Sequence, residues 1–79
     1  MRRRIEELNK RIADDQIAVT RQRQLIDMLQ RNGYTTSDAT RFLRSLENEY
    51  SISLAAREDL KEAIKKADFT LHLVSSSVN

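Results

Sequence analysis

Apolar residues recur at a seven-residue spacing through the first part of the chain. Their positions are Ile5, Leu8, Ile12, Val19, Ile26 and Leu29. A heptad repeat of this kind is typical of coiled coils and bundles, and it predicts an amphipathic α-helix over about 3–32. Ala18 and Leu25 widen the apolar stripe on one flank. A stripe broader than two positions per heptad indicates a helix that contacts more than one neighbour.

A second helical pattern follows over about 36–67, without glycine or proline in its interior. Its core candidates are Phe42, Leu43, Leu46, Tyr50, Leu60 and Ile64. The only glycine, Gly33, lies between the two patterns. Folding the chain back about Gly33 opposes residues whose numbers add to about 68, and the apolar positions then meet. The sequence therefore predicts an all-α fold, an antiparallel two-helix hairpin that forms a single domain over 1–67.

The turn between the helices has the residues of a glycine C-cap. Gly33 follows the last apolar residue of the first helix and can adopt the left-handed conformation that lets free carbonyls accept hydrogen bonds. Tyr34 would then be the next residue of a Schellman motif and would pack back on Leu29.

The second helix needs an N-cap, and Thr35 is the predicted one. Its hydroxyl would accept a hydrogen bond from the N–H of Asp38, whose carboxylate also suits the positive end of the helix dipole. Thr36 is the alternative cap. If Thr35 is the cap, removing its hydroxyl should cost about 1 kcal/mol.

Polar residues interrupt the heptad seam of the first helix. Asp15 and Gln22 occupy core positions, and the hairpin numbering places them near Ser53 and Leu46. One interpretation is a polar layer that fixes the register of the helices; the alternative is that both side chains reach solvent where the helices splay. Arg57 lies on the stripe of the second helix. It is expected either to pair with Asp15 of its own or another chain, or to lay its methylenes along the seam while its guanidinium reaches water.

The pattern changes at Asp68, after which uncharged and β-branched residues replace the charged helix. Residues 68–79 are predicted to be a frayed or disordered C-terminal tail. Alternatives are a helix that continues to Leu71 and then frays, and a cap on the end of a bundle made by Phe69, Leu71 and Leu73. Pairing as an edge strand with a partner is the least favoured arrangement.

The chain has only 79 residues and no cysteine, which limits the architectures that it can form. Chains this short seldom bury enough apolar surface alone. A hairpin has a single internal interface, so part of each wide stripe would remain in water. Two hairpins related by a twofold axis would form a four-helix bundle, which predicts a homodimer. A helix from a different protein that completes the bundle is the alternative partner.

Charge suggests a second role. The first 33 residues carry eight basic and five acidic side chains, a balance of +3. A basic helix can follow a phosphate backbone, so a nucleic-acid-binding accessory protein is the alternative function. Acidic residues alternate with the basic ones, however, and this favours the solvated face of a bundle helix.

The sequence contains no recognisable catalytic constellation. His72 is the only histidine, and no phosphate-binding loop, dinucleotide fingerprint or nucleophile elbow occurs. No catalytic, cofactor-binding or metal site is therefore expected, and the prediction is a non-enzymatic interaction or regulatory module. The chain also has no apolar run that could span a membrane, and its basic start is followed by charged residues rather than a signal sequence. A soluble, cytoplasmic protein is expected.

Several short motifs carry a resemblance to a known group. They are Ile12-Ala13-Asp14, Arg21-Gln22-Arg23-Gln24-Leu25-Ile26, Leu29, Gly33, Asp38-Ala39, Arg41-Phe42-Leu43, Leu46-Glu47, Arg57 and Leu60. Over roughly residues 12–62 the chain resembles small helical-hairpin proteins of alphaproteobacteria, which share an arginine- and glutamine-rich first helix, a glycine turn and a second helix. It departs from them at Ser53 and Ala56, where the group tends to have histidines. The resemblance implies a hairpin and a bacterial cytoplasmic setting, and it carries no established activity and no site residue.

Overall fold

The computed structural model describes residues 2–78, with side chains to residue 73. Two antiparallel helices make up this part of the chain, α1 (Arg2–Arg31) and α2 (Ser37–Val78), and it contains no strand. They form a rod with dimensions of 72 × 16 × 13 Å. The predicted all-α hairpin is therefore confirmed.

The glycine turn ends α1 with a Schellman motif. Gly33 has a φ of 76°, which an L side chain would find strained. The N–H of Tyr34 donates to the carbonyl of Leu29 at 2.9 Å, and the N–H of Gly33 donates to that of Gln30 at 3.1 Å. The Tyr34 side chain stays 66% exposed, so it gives the half-buried Leu29 little cover.

The helix α2 begins one residue later than the predicted cap implies. The N–H of Thr40 donates to the carbonyl of Thr36 at 2.8 Å, which places Thr36 at the N-cap. The prediction of Thr35 as the cap is therefore wrong, and the alternative, Thr36, occupies the position. Thr35 lies between the Schellman turn and the N-cap, outside both helices. Asp38 lies in the first turn of α2, where its exposed carboxylate is 3.9 Å from Arg41.

The predicted end of α2 at residue 67 is also wrong, because the helix continues to Val78. No glycine or proline follows residue 67 to stop it, and the hydroxyl of Thr70 donates to the carbonyl of Lys66 at 2.9 Å inside the helix. Since α1 begins at Arg2, α2 extends past it, and residues 67–78 are called the C-terminal extension. Phe69, Leu71 and Leu73 on this extension are 52–66% exposed.

The core between the helices is small. Leu8, Ile12 and Val19 are its buried apolar residues, each 6–7% exposed, and no described side chain is less than 2% exposed. Most other predicted seam residues are half-buried: Ile5, Ile26, Leu29, Leu43, Leu46, Tyr50, Leu60 and Ile64. Phe42 is an exception, since it is 56% exposed. The hairpin thus half-covers a stripe that runs along both helices.

Candidate interaction surface

Gln22 is a buried polar residue that joins the two helices near the turn. Its side chain is 9% exposed, and its Nε2 donates to the carbonyl of Ala39 at 2.9 Å. This carbonyl belongs to the first turns of α2, so the contact ties α1 to α2 close to the turn. The hairpin numbering placed Leu46 opposite Gln22, but the long amide side chain reaches toward the turn instead. The Gln22 side chain therefore does not extend to solvent.

Asp15 and Arg57 each contact the opposite helix, but not one another. The hydroxyl of Ser53, which is 5% exposed, donates to the Asp15 carboxylate at 3.3 Å. Ser53 is the residue that the hairpin numbering placed opposite Asp15. The Nη1 of Arg57 donates to Oδ1 of Asn9 at 3.0 Å, while its Nε is buried without a hydrogen-bond partner among the described residues.

These contacts lie at three separate levels along the rod. Asn9, Asp15 and Gln22 are six and seven residues apart on α1, which at 1.5 Å per residue is about 10 Å between successive levels. The predicted single polar layer is therefore replaced by a series of polar contacts among apolar side chains. Each of these polar side chains has a different partner on the other helix. A shift of one helix along the other would therefore break all three contacts together.

One side of the groove between the helices is polar. A shallow hollow there is lined by Gln16, Val19, Thr20, Arg23, Glu47, Tyr50, Ser51 and Leu54. The Nη2 of Arg23 lies 3.2 Å from Oε2 of Glu47, in an ion pair between exposed side chains. Asn9, the partner of Arg57, lies one heptad from Gln16 and two from Arg23, and so is on the same side. This surface is called the Arg23 side.

The opposite side of the groove is called the Ile52 side. A hollow on it is lined by Arg11, Asp15, Glu49, Ile52 and Ser53. Heptad spacing from Arg11 and Glu49 assigns further residues to this side, namely Ala18 and Leu25 on α1 and Phe42, Ala56 and Ala63 on α2. Leu25, Phe42 and Ile52 are 39%, 56% and 60% exposed. Within residues 2–73, no ion pair joins the two helices on this side.

Two features of this surface were not found from the sequence. The spacing of Arg23 and Glu47 fits the hairpin numbering, so their ion pair could have been predicted from the opposed charges. Ile52 was not among the predicted core residues because it lies off the central stripe, although it is at the level of Asp15. Both features could therefore have been predicted from the hairpin numbering. The contact between Arg57 and Asn9 could not, because it depends on side-chain conformation.

The basic side chains of α1 do not form one continuous stripe. All of them are exposed, and two are engaged by carboxylates: Arg23 by Glu47, and Arg31 by Asp27 at 2.7 Å. Arg3 and Lys10 point away from the groove, whereas Arg11 lines the Ile52 side. The positive charge is therefore distributed around the helix.

Within the part of the chain that the structure describes, no group of three or more His, Cys, Asp or Glu side chains is close enough to hold a metal ion. His72 is exposed on the C-terminal extension. Neither of the described helices has a stretch long and apolar enough to cross a membrane.

Comparison with known proteins found no match. No protein-family model matches the chain, and no curated protein or solved structure is significantly similar to it. The resemblance to alphaproteobacterial hairpin proteins therefore stays a prediction. Any functional argument rests on the geometry of the hairpin, above all on the half-buried apolar stripe along both helices.

Proposed function

We propose that the protein is a non-enzymatic helical interaction module that works as a homodimer, in which two hairpins pack into a four-helix bundle. The observation that carries this proposal is the exposed surface. The chain exposes 6647 Å² at a mass of 9.2 kDa. A compact monomer of this mass exposes about 4,900 Å². The excess of about 1,700 Å² is more than the roughly 800 Å² that each partner buries in a standard interface.

The size of the core supports the same proposal. Three buried apolar side chains cannot offset the conformational entropy lost when two long helices are ordered. Packing a second hairpin against the first would cover the half-buried residues of the stripe, such as Leu43, Leu46 and Leu60, without any change in the helices. The dimer would therefore supply the core that one copy lacks.

Two alternatives remain as proposals with less support. A helix from a different protein could complete the bundle, but a second copy offers the same incomplete stripe and is always available. Nucleic-acid binding would use the basic side chains of α1, yet Arg23 and Arg31 are already paired with carboxylates. A nucleic-acid role predicts retention on duplex DNA that falls steeply as salt rises.

Sedimentation equilibrium of the purified chain over a concentration series, read beside helicity from circular dichroism, tests the proposal. We expect a dimer whose dissociation on dilution is accompanied by a loss of helicity, because one hairpin is too thinly packed to stay folded. A fully helical monomer at the highest concentrations would contradict the proposal. A poorly helical monomer would contradict it too, and would indicate that the completing helices belong to another protein.

A further inference from the structure

We infer that the open end of the hairpin, opposite the glycine turn, binds a lipid surface with anionic headgroups, into which the C-terminal extension inserts. This inference goes beyond the proposed homodimer and does not depend on it. It follows from three observations: the apolar residues of the extension, the basic residues at the level where the extension begins, and the order of the two along the rod.

The C-terminal extension is a single helix that α1 does not cover. The hairpin numbering places Arg2, the first residue of α1, level with Lys66, so α2 continues alone beyond this point. Phe69, Leu71 and Leu73 on the extension are 64%, 66% and 52% exposed. No lysine, arginine, aspartate or glutamate occurs over 69–79. The extension therefore presents large apolar side chains that α1 leaves in water.

The apolar side chains of the extension lie on opposite sides of the helix. At about 100° per residue, Leu73 is about 40° from Phe69 around the helix, whereas Leu71 is about 160° from it. A single partner helix would cover only one of these sides. A helix with apolar residues on all sides is typical of a segment that is surrounded by apolar material. Lipid surrounds an inserted helix, so it suits this distribution better than a second helix does.

Exposed basic residues surround the rod at the level where the extension begins. They are called the basic band and consist of Arg2, Arg3, Arg4, Lys65 and Lys66. None of them forms an ion pair within residues 2–73. With Asp68, this end of the rod has five basic and one acidic side chain, a balance of +4. Since the net charge of the whole chain is +2, the rest of it has a balance of −2. Positive charge is therefore concentrated at the open end.

The basic band lies across the rod rather than along it. Its members are consecutive residues on each helix, so they extend over at most about 3 Å along the axis and point in different directions around it. A flat anionic surface that meets the end of the rod can contact them together. A nucleic-acid backbone that follows the rod would instead meet Glu6, Glu7 and Glu62, which lie nearer the turn. The arrangement therefore favours a lipid surface over a duplex.

The distance from the basic band to the apolar side chains matches the depth of a lipid interface. Phe69 and Leu73 are three and seven residues beyond Lys66, which is about 4 Å and 10 Å along the helix. Interfacial helices bury their apolar residues about 5–10 Å into the boundary between headgroups and acyl chains. With the basic band among the headgroups, the apolar side chains of the extension would reach this boundary. Binding of this kind requires no helix that crosses the bilayer.

The apolar contribution is tested with two matched substitutions, Phe69→Ser and Phe42→Ser. Both phenylalanines are exposed on α2, but they lie at opposite ends of the rod. The probe is sedimentation with vesicles made of equal parts of phosphatidylcholine and phosphatidylserine. We expect the unmodified chain to bind, and Phe69→Ser to lower the partition coefficient by roughly tenfold or more, because the side chain leaves water on insertion. Phe42→Ser should change it by less than about twofold, because the turn stays in water.

The basic band is tested with the double variant Lys65→Gln/Lys66→Gln. Each basic residue near an anionic surface strengthens binding about fivefold, so this variant should bind about 25-fold more weakly at low salt. Arg41→Gln/Arg44→Gln removes the same charge near the turn. Arg44 is 21 residues from Lys65, about 32 Å along the helix. Since this exceeds the Debye length of about 10 Å at 0.1 M salt, the control should change binding by less than about threefold.

Three outcomes of these measurements would overturn the inference. The first is that the unmodified chain does not bind the anionic vesicles. The second is that both phenylalanine variants, or both double variants, weaken binding equally. The third is retention on duplex DNA, lost in Lys65→Gln/Lys66→Gln, by a chain that does not bind the vesicles, which would assign the basic band to nucleic acid.

A tryptophan at residue 69 distinguishes lipid from a second copy as the partner of the extension. The chain has no tryptophan, so Phe69→Trp introduces a single reporter. Its emission should move to shorter wavelengths when anionic vesicles are added, whereas that of Phe42→Trp should not respond to them. A shift without vesicles that grows with chain concentration would mean that a second copy covers the extension, and it would overturn the inference. The homodimer is measured separately, by sedimentation equilibrium without lipid, so either proposal can fail alone.

Discussion

Arg57→Leu should stabilise the protein, although it removes a hydrogen bond. Arg57 is half-buried on the stripe of α2, and its Nε is a buried donor without a partner among the described residues. Leaving such a donor unsatisfied costs about 1–3 kcal/mol. Its Nη1 donates to Asn9 in an exposed contact. Solvent screening lowers the contribution of this charged donor to about 0.5–1.5 kcal/mol. The substitution removes the cost of the unsatisfied Nε and loses the smaller contribution of the hydrogen bond to Asn9. The net stabilisation is about 1 kcal/mol, and leucine adds apolar contacts with the core.

The assay is urea unfolding followed by circular dichroism at one fixed chain concentration, because dimerisation would make the apparent stability depend on concentration. A gain of about 1 kcal/mol should also raise Tm by about 4–8 °C. Arg44→Leu is the matched control, since Arg44 is exposed on the same helix and the charge change is identical. Its effect should stay within about 0.5 kcal/mol.

A loss of stability for Arg57→Leu, beside a neutral Arg44→Leu, would refute the reasoning. It would mean that the Arg57 guanidinium contributes more than its single visible bond, for example through Asp15 of a second copy. The double variant with Asn9→Ala distinguishes the causes. If the Asn9 contact is the only favourable one, Asn9→Ala should have no further effect once Arg57 is replaced.

Three further predictions use the same unfolding measurement. Ile12→Ala, at a 7% exposed site, should lower the free energy of unfolding by about 2–5 kcal/mol. Ile17→Ala, at a 51% exposed site, should change it by less than about 0.5 kcal/mol. Similar losses for the two variants would contradict the assigned core. Gly33→Ala should cost about 1–2 kcal/mol because of the positive φ alone, since nothing lies within 4 Å of an added Cβ, and a neutral result would exclude the left-handed turn. Thr36→Ala should destabilise by about 1 kcal/mol and Thr35→Ala by less, and the reverse order would restore Thr35 as the N-cap.

Heptad spacing and a single glycine were enough to predict which helices form and which levels face each other. The hairpin numbering placed Ser53 opposite Asp15, and these side chains are joined by a hydrogen bond. This worked because antiparallel helices of constant rise leave one unknown, the position of the turn, and Gly33 determines it. No comparable constraint marks the end of α2, since no residue after Ala67 prevents a helix from continuing.

Side-chain contacts were harder to predict than backbone levels. Arg57 has a long, flexible side chain, so the sequence could not decide whether it contacts Asp15 or water. In the structure its partner is Asn9 instead. Gln22 likewise bypasses the residue at its own level to reach the carbonyl of Ala39. Phe42 was predicted to be a seam residue but is largely exposed. A residue at the margin of an apolar stripe is buried only if the neighbouring helix covers it.

The antiparallel arrangement links position along the rod to the length of chain between contacting residues. Near the turn, the contact of Gln22 with Ala39 closes a segment of 17 residues, whereas the contact of Asn9 with Arg57 closes one of 48. Closing the longer loop costs about 0.9 kcal/mol more in chain entropy. Folding should therefore begin at the glycine turn and proceed toward the open end. During synthesis, Asn9 leaves the ribosome long before Arg57 exists, so the start of α1 is the last segment to be protected.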